Sequence, residues 1–189
     1  AKRQYAQPKL YFGKPVVNKV QLYKWNEGTR AIRLPTQIVN VASVPLYNNP
    51  KNKNNASRLE RAHITIEFYK KDTDRLVKTL QFGRWADNTQ LGQHDSPSSV
   101  DALRYRDIEP NDGANLIDIA LKYDVDENCC AFNSESWLSP NLKDPQWILK
   151  GVDFDVKVII KSSNHDNYEE WFELRNLGNN QGLNIMRKI

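Results

Sequence analysis

The residues that could perform chemistry are few, and their spacing does not favour a metal site. The three histidines have no cysteine or acid cluster at ligand spacing, so we expect structural or solvent-exposed roles for His63, His94 and His165. The acidic segment 124–135 resembles a calcium loop in its oxygen spacing, but Cys129 occupies the position that requires glycine. Acids of the turn at 107–112 could join it, which leaves a hard-cation site as the alternative. The favoured prediction is no metal and no cofactor.

Nucleophilic catalysis would need a serine or cysteine beside a histidine and an orienting acid. Neither cysteine has a glycine-rich turn or a helix start beside it that would lower the thiol pKa. The serines at 96–99 lie close to His94, but they have the composition of a loop. The eight glycines form no phosphate-binding motif. We therefore predict no catalytic residues and a protein that is not an enzyme.

The two cysteines, Cys129 and Cys130, are adjacent. Adjacent cysteines on a strand point to opposite faces, so we expect one buried thiol and one reachable thiol, both reduced. Two cysteines that form no disulfide framework favour a reducing compartment. The sequon at Asn55 is a single match in an asparagine-rich chain and carries little weight.

Tryptophans are the strongest candidates for ligand contacts. Four of the five are expected near strand ends or in loops: Trp85, Trp137, Trp147 and Trp171. One of them should pack between two sheets, since a sandwich commonly needs a bulky core aromatic. A surplus on one rim could stack on a sugar or fill a partner's pocket. Packing is the favoured role, and carbohydrate binding is the alternative.

Basic residues alternate with aromatics at Tyr23-Lys24-Trp25 and at Arg104-Tyr105-Arg106. This pattern suits single-stranded nucleic acid, but it also suits strand edges, where lysine discourages edge-to-edge pairing. The net charge of +4 and the pI near 9.0 are explained by solubility before nucleic-acid binding. We therefore expect a protein partner rather than a nucleic acid.

The elements that must position these residues are strands. Apolar residues alternate with polar ones at 62–68 and at 152–160, and a polar turn after each segment leads to a second strand. Pro35 marks an edge or a bulge. Polar loops are expected at 47–58 and 86–101. Seven to nine short strands without an amphipathic helix predict an all-β antiparallel sandwich.

The domain organisation follows from where this alternation begins and ends. We expect a sandwich domain at residues 30–175, preceded by an N-terminal arm with an edge strand at 1–29 and followed by a C-terminal tail at 176–189. No apolar run approaches the length that spans a membrane. The chain starts at Ala1 without methionine, which suggests a processed chain or an excised piece that follows a membrane anchor or another domain.

Three segments resemble immunoglobulin-like domains of small prokaryotic proteins of unknown function that are often tethered by N-terminal membrane helices. The matching segments are IVNVASVPLY with RAHITIEFYKKD, YRDIEPNDGANLIDIA, and GVDFDVKVIIKSSN. The chain departs from that pattern by Asn-Asp-Gly in place of Pro-Gly and by two long inserts. The resemblance implies an immunoglobulin-like sandwich and transfers no functional residue. The expected function is a non-catalytic interaction or accessory module, the soluble part of a longer or membrane-anchored protein. Carbohydrate binding and nucleic-acid binding remain alternatives.

Overall fold

The computed structural model describes residues 7–25, 31–49, 57–88, 101–138 and 142–189. Within these ranges the chain forms thirteen strands and two short 3₁₀ turns, Ser134–Leu138 and Pro145–Trp147. The strands are β1 (Leu10–Phe12), β2 (Val16–Trp25), β3 (Ala31–Asn48), β4 (Leu59–Lys70), β5 (Leu76–Leu80), β6 (Arg84–Trp85), β7 (Arg106–Ile108), β8 (Asn115–Tyr123), β9 (Cys129–Ala131), β10 (Ile148–Leu149), β11 (Asp153–Lys161), β12 (Tyr168–Asn176) and β13 (Leu183–Arg187). The count exceeds the seven to nine strands predicted, mainly because several strands have only two or three residues.

The strands form two antiparallel sheets that pack face to face, so the predicted all-β sandwich is confirmed. The seven-stranded sheet has the order β1-β3-β8-β9-β10, with β2 also paired to β3 and β6 to β8. The six-stranded sheet has the order β13-β12-β11-β4-β5, with β7 also paired to β4. Strands distant in sequence therefore become neighbours, which brings β7 and its flanking residues to the edge of β4.

The core lies between the sheets, where the alternating apolar residues of β4 and β11 point. Ala62, Ile64, Ile66 and Phe68 of β4 are fully buried, as are their counterparts from Phe154 to Ile160 of β11. Trp85 is also fully buried in this core. The prediction that one tryptophan packs between the sheets is thus confirmed for this residue.

The hairpin of β11 and β12 forms in the predicted place, but its polar face is not entirely exposed to solvent. Asp155 is 2% exposed, and its Oδ2 atom accepts hydrogen bonds from Lys188 Nζ at 2.6 Å and from the Asp72 amide at 2.9 Å. Ile159 on the same face is also buried, whereas Val152, predicted to lie on the apolar face, is exposed. The prediction of a wholly solvated acidic face is therefore wrong at Asp155, because the C-terminal residues cover it.

The N-terminal arm and the C-terminal tail are integral parts of the sheets. Strands β1 and β2 both pair with β3, and β13 pairs with β12 from Phe172 to Asn176. Opposite Pro35 the pairing of β2 with β3 is irregular between Gln21 and Tyr23, as the proline predicts. Apolar residues of both segments, Leu10 and Phe12 in the first and Leu183 and Ile185 in the second, pack into the core of the sandwich.

Both cysteines are buried, at 0% exposure for Cys129 and 5% for Cys130, and neither is in a disulfide. They point to opposite faces of the sheet, as predicted, but the expectation of one reachable thiol is wrong. A second apolar cluster covers the outer side of the seven-stranded sheet at Cys130. Its other buried members are Val39, Leu121, Tyr123, Phe132 and Leu142. Burial raises the pKa of Cys129 to about 12 and that of Cys130 to about 11.

The turns between strands agree with the predictions where the structure describes them. Residues 71–73 turn between β4 and β5, and the turn between β7 and β8 has positive φ at Asn111 and Gly113. Asn55 and His94 fall outside the described residues, as do most of the two predicted polar loops. No helix in the described ranges is long and apolar enough to cross a membrane.

Candidate recognition surface

The outer face of the six-stranded sheet presents aromatic and charged side chains that could bind a ligand. Side chains alternate across a strand, so every second residue of β4, β11 and β12 points away from the core. Cross-strand partners share this face, as the pairing of Lys157 with Glu67 on one side and with Trp171 on the other shows. We call this set of residues the outer face: His63, Thr65, Glu67, Tyr69, Asp155, Lys157, Ile159, Lys161, Glu169, Trp171 and Glu173.

Ion pairs between neighbouring strands neutralise most charges in the middle of the outer face. Lys157 Nζ lies 2.9 Å from Glu169 Oε2, and Lys71 Nζ lies 2.8 Å from Glu173 Oε2. Such cross-strand pairs stabilise a sheet by a few tenths of a kcal/mol, about 0.2–1. The central charges are therefore occupied with one another, and the aromatic side chains are the groups left to meet a ligand.

Two aromatic side chains and a lysine form a group that we call the tryptophan cluster, which consists of Tyr69, Lys157 and Trp171. The indole of Trp171 lies 5.2 Å from the Tyr69 ring, tilted by 48°, and 5.6 Å from Lys157 Nζ. The Tyr69 hydroxyl donates to Glu67 Oε2 at 2.7 Å, and this bond is the main cause that raises the pKa of Tyr69 to about 12. Trp171 stays 36% exposed, so it presents an open aromatic surface in a fixed orientation.

A second group, the arginine–aromatic cluster, lies at the other end of β4. It consists of Arg61, His63, Phe82, Arg104 and Tyr105. The three rings approach one another with centroid distances of 5.4–6.0 Å. The Arg61 guanidinium lies 4.9 Å from the Tyr105 centroid, and the Arg104 guanidinium lies 4.4 Å from the Phe82 centroid. Two planar cations thus cover two aromatic rings, an arrangement in which cation–π attraction holds the guanidinium over the ring.

A β-bulge positions Arg61 in this cluster. The pairing of β4 with β7 is irregular between Leu59 and Ala62, and Arg61 has φ of +49°. A hydrogen bond of 2.7 Å from the Arg61 amide to Asp107 Oδ1 holds the bulge. Left-handed backbone at a residue other than glycine costs about 1–3 kcal/mol, and bulges commonly redirect a side chain. The bulge interrupts the alternation of β4 and supports the orientation of Arg61 over Tyr105.

His63 contributes an uncharged ring to the cluster. Burial lowers the pKa of His63, and the positive charge of Lys161 lowers it further, while the nearby backbone of Arg61 opposes both. The Nδ1 atom is shielded from solvent and has no hydrogen-bond partner among the described residues. At neutral pH the imidazole is therefore an uncharged aromatic ring in the cluster.

The four candidate tryptophans are dispersed. Trp85 lies in the core, where it cannot present a face to a ligand, and it is the tryptophan that packs between the sheets. Trp147 is partly buried against the same core. The side chain of Trp137 lies outside the described part of the chain. Trp171 is the candidate that the structure places on the surface, at 36% exposure.

Polar groups elsewhere are tied into structural networks. On the seven-stranded sheet, Ser43 donates to Asp118 at 2.8 Å and Arg84 Nε donates to Asp118 at 3.1 Å. Burial raises the pKa of Asp118, although Ser43 and Arg84 oppose the rise. Lys122 is fully buried, and its ammonium donates to three backbone carbonyls, including those of Gly178 and Gln181 at 2.7 Å.

The acidic segment 124–135 serves structural contacts where it is described. Asp124 accepts a hydrogen bond from Asn40 at 2.6 Å, Asp126 pairs with Lys143, and Glu135 lies 2.8 Å from Arg104. Within the described ranges no group of three or more His, Cys, Asp or Glu residues is arranged to hold a metal ion.

The arginine–aromatic cluster was only partly visible in the sequence. The Arg104-Tyr105-Arg106 motif supplies two of its members, whereas Arg106 lies over Trp85 at 5.1 Å and pairs with Asp87. Arg61, His63 and Phe82 come from β4 and from the residues after β5, and no sequence signal linked them to Tyr105. The second motif, Tyr23-Lys24-Trp25, lies in β2, with side chains outside the described part.

Compared with protein-family models, with curated proteins and with solved structures, the chain gave no match.

Proposed function

We propose that this chain is a non-catalytic interaction module that binds a protein partner through the tryptophan cluster. The observation that carries the proposal is the open face of Trp171, which is 36% exposed while Tyr69 and Lys157 hold its indole in place. Tryptophan and tyrosine are enriched among the residues that dominate the energy of protein interfaces. A side chain that is already ordered also loses less conformational entropy when the partner binds.

The charged surroundings fit a protein partner with a mixed polar rim. Lys71 with Glu173 and Arg175 with Asp153 flank the cluster as pairs of opposite charge. Interfaces typically surround an aromatic centre with polar, solvent-accessible residues. A partner would therefore place an apolar pocket over Trp171 and charged groups around it.

The test compares Trp171→Ala with Val125→Ala. Val125 lies between β8 and β9 of the other sheet and is 68% exposed, so its truncation also removes exposed apolar surface but lies outside the cluster. Proteins retained by the immobilised wild-type chain are identified, and the affinity of each purified candidate is measured by calorimetry. Trp171→Ala should weaken binding by about 30-fold or more, the factor expected for an interface hot spot, while Val125→Ala should not. A candidate that binds both variants as tightly as wild type contradicts the proposal.

Carbohydrate binding through the same residue is the second candidate. The exposed indole beside Tyr69, with Glu67 and Lys157 nearby, offers a stacking surface with polar groups at its edge. Titration with a panel of glycans should then change the fluorescence of wild type but not that of Trp171→Ala, in which buried Trp85 still reports on folding. The absence of any change at about millimolar glycan, where the binding free energy is only about −4 kcal/mol, counts against this candidate.

The same proposal includes the immunoglobulin-like type of the sandwich and its place in a longer, membrane-anchored protein. Its support is that the segments that carry the sequence resemblance coincide with β3 and β4, with β7 and β8, and with β11. Fractionation of the full-length natural gene product tests the anchoring. Recovery in the membrane fraction is expected, and release of the whole product with the water-soluble fraction would contradict it.

A further inference from the structure

From the arginine–aromatic cluster we infer a second binding site, which takes the bases of a short single-stranded nucleic acid. This site is independent of the tryptophan cluster. His63 and Tyr69 lie six residues apart on β4, which corresponds to about 20 Å along a strand. Failure of one proposal therefore leaves the other intact.

The chemistry of the cluster matches unpaired bases. Proteins that bind single strands stack bases on aromatic rings and on the planes of arginine guanidinium groups. Tyr105 is 40% exposed, and the guanidinium of Arg61, itself an exposed residue, lies over its ring. A base that stacks on Arg61 would extend the pair that this guanidinium forms with Tyr105, while His63 meets the Tyr105 ring edge to face at 68° and supports it from the side.

The charged side chains at the arginine–aromatic cluster determine how many phosphates of a nucleic acid it could neutralise. Arg104 is neutralised by Asp101 at 2.6 Å and Glu135 at 2.8 Å. Among the described residues, no carboxylate lies within 4.0 Å of the side-chain nitrogens of Arg61 or Lys161. Lys161 is the cross-strand partner of His63, so both cations border the rings. Two phosphates can therefore be neutralised, which makes the site a weakly charged stacking platform.

This charge count predicts an unusually shallow salt dependence. Each neutralised phosphate of a single strand contributes about −0.7 to the slope of log K against log salt concentration, so two phosphates give about −1.4. Binding driven by general attraction to a basic protein would involve more phosphates and a steeper slope. The slope separates a stacking site from nonspecific adsorption.

The experiment measures fluorescence anisotropy of labelled oligothymidylate and oligouridylate of about eight nucleotides, a length within the usual range of single-strand sites. The protein is titrated between about 50 and 200 mM salt. Tyr105→Leu removes the exposed ring and should weaken binding by about 5- to 150-fold, the range seen for the loss of one stacked base. Tyr11→Leu is the control, because Tyr11 has the same exposure of 40% and lies on β1, in the other sheet.

Two substitutions of Arg61 separate its charge from its plane. Arg61→Lys keeps the charge and loses the planar group, so affinity should fall while the salt slope stays near −1.4. Arg61→Asn removes the charge but tolerates the left-handed backbone, so the slope should become shallower by about 0.7. Circular dichroism spectra and thermal melting that match wild type would show that the variants are folded.

Several results would overturn the inference. These are no binding of either oligonucleotide, equal binding by wild type and Tyr105→Leu, and a slope much steeper than −1.4. Equal affinity for a glutamate peptide of the same length would assign the cluster to acidic protein segments instead.

Discussion

The ion pair between Arg84 and Asp118 should be among the most sensitive points of the fold. The Arg84 Nε atom lies 3.1 Å from Asp118 Oδ2, and the two side chains are only 4% and 7% exposed. With an effective dielectric constant of about 20, two charges at this distance attract by about 5 kcal/mol. Replacement of Asp118 by alanine would leave the Arg84 charge in the interior without this counter-charge and would deprive Ser43 of its acceptor. We expect the free energy of unfolding to fall by about 3–5 kcal/mol, as for other broken buried pairs.

Asp153→Ala is the matched control, because Asp153 also pairs with an arginine on a strand. Its distance to Arg175 is 3.6 Å, and the two side chains are 44% and 36% exposed, so the loss should be about 0.2–1 kcal/mol. Both variants are unfolded in urea and followed by tryptophan fluorescence, with midpoint and slope compared to wild type. The double variant Arg84→Met with Asp118→Leu should be more stable than Asp118→Ala, since neither charge remains buried. A loss below about 1 kcal/mol for Asp118→Ala, or one equal to the control, would refute this reasoning.

Three further predictions concern the core, the thiols and the outer face. Phe154→Ala should lower the free energy of unfolding by about 3–5 kcal/mol, because Phe154 is buried. Val152→Ala should lower it by less than about 0.5 kcal/mol, because Val152 is 64% exposed. Equal losses of stability for the two variants in urea denaturation would contradict the faces assigned to these residues. An aromatic disulfide reagent should modify neither cysteine in the folded protein and both after denaturation, because both are buried and their pKa is raised; one fast native thiol would contradict this. The pKa of Tyr69, raised to about 12, exceeds the ordinary value of 10, so its contribution to stability should be complete below pH 10 and lost as the pH rises through 12. Glu67→Gln should lower the pKa of Tyr69 in a tyrosinate absorbance titration, and an unchanged titration would exclude this hydrogen bond as the cause.

Alternation with a period of two was enough to predict the strands whose two faces differ in burial. In β4 and β11 the apolar residues face the core between the sheets. The same reasoning failed for Asp155 and Cys130, because it assumes that the second face of each strand meets water. Lys188 covers Asp155, and the residues around Leu142 cover Cys130. Such coverage depends on chain segments far away in sequence, which local periodicity does not contain.

The strand β13, which lies in the segment predicted to be a C-terminal tail, also depends on residues that are distant in sequence. The final segment has only Leu183 and Ile185 as buried apolar residues, too short a pattern to indicate a strand by itself. Pairing with β12 and the hydrogen bond from Arg187 to the Phe12 carbonyl hold it in the sheet. Short edge strands are stabilised by their neighbours, so their presence depends on the assembled sheet.

Local sequence predicted part of the candidate sites, and the rest depends on residues that are distant in sequence. Trp171 was singled out by residue type and by its place in a predicted hairpin, and the structure confirms the hairpin. The arginine–aromatic cluster depends on the pairing of β7 with β4, which joins Ala62 to Arg106 across a large gap in sequence. A motif of three residues around Tyr105 could indicate a basic aromatic edge but not the rings that would face it.

The charge pattern of the outer face restricts what kind of recognition it can support. Its central lysines and glutamates already pair with one another, so a ligand that replaced these pairs would gain little net electrostatic energy, because each exposed pair is worth at most about 1 kcal/mol. Affinity must therefore come from surfaces that the ion pairs leave open, and these are the rings of Trp171 and Tyr105 at opposite ends of β4. At Trp171 the neighbouring charges are balanced, which favours a neutral or mixed-charge partner. At Tyr105 the cations Arg61 and Lys161 remain unneutralised among the described residues, which favours an anionic one. The same sheet thus offers two aromatic surfaces whose ligands differ in charge.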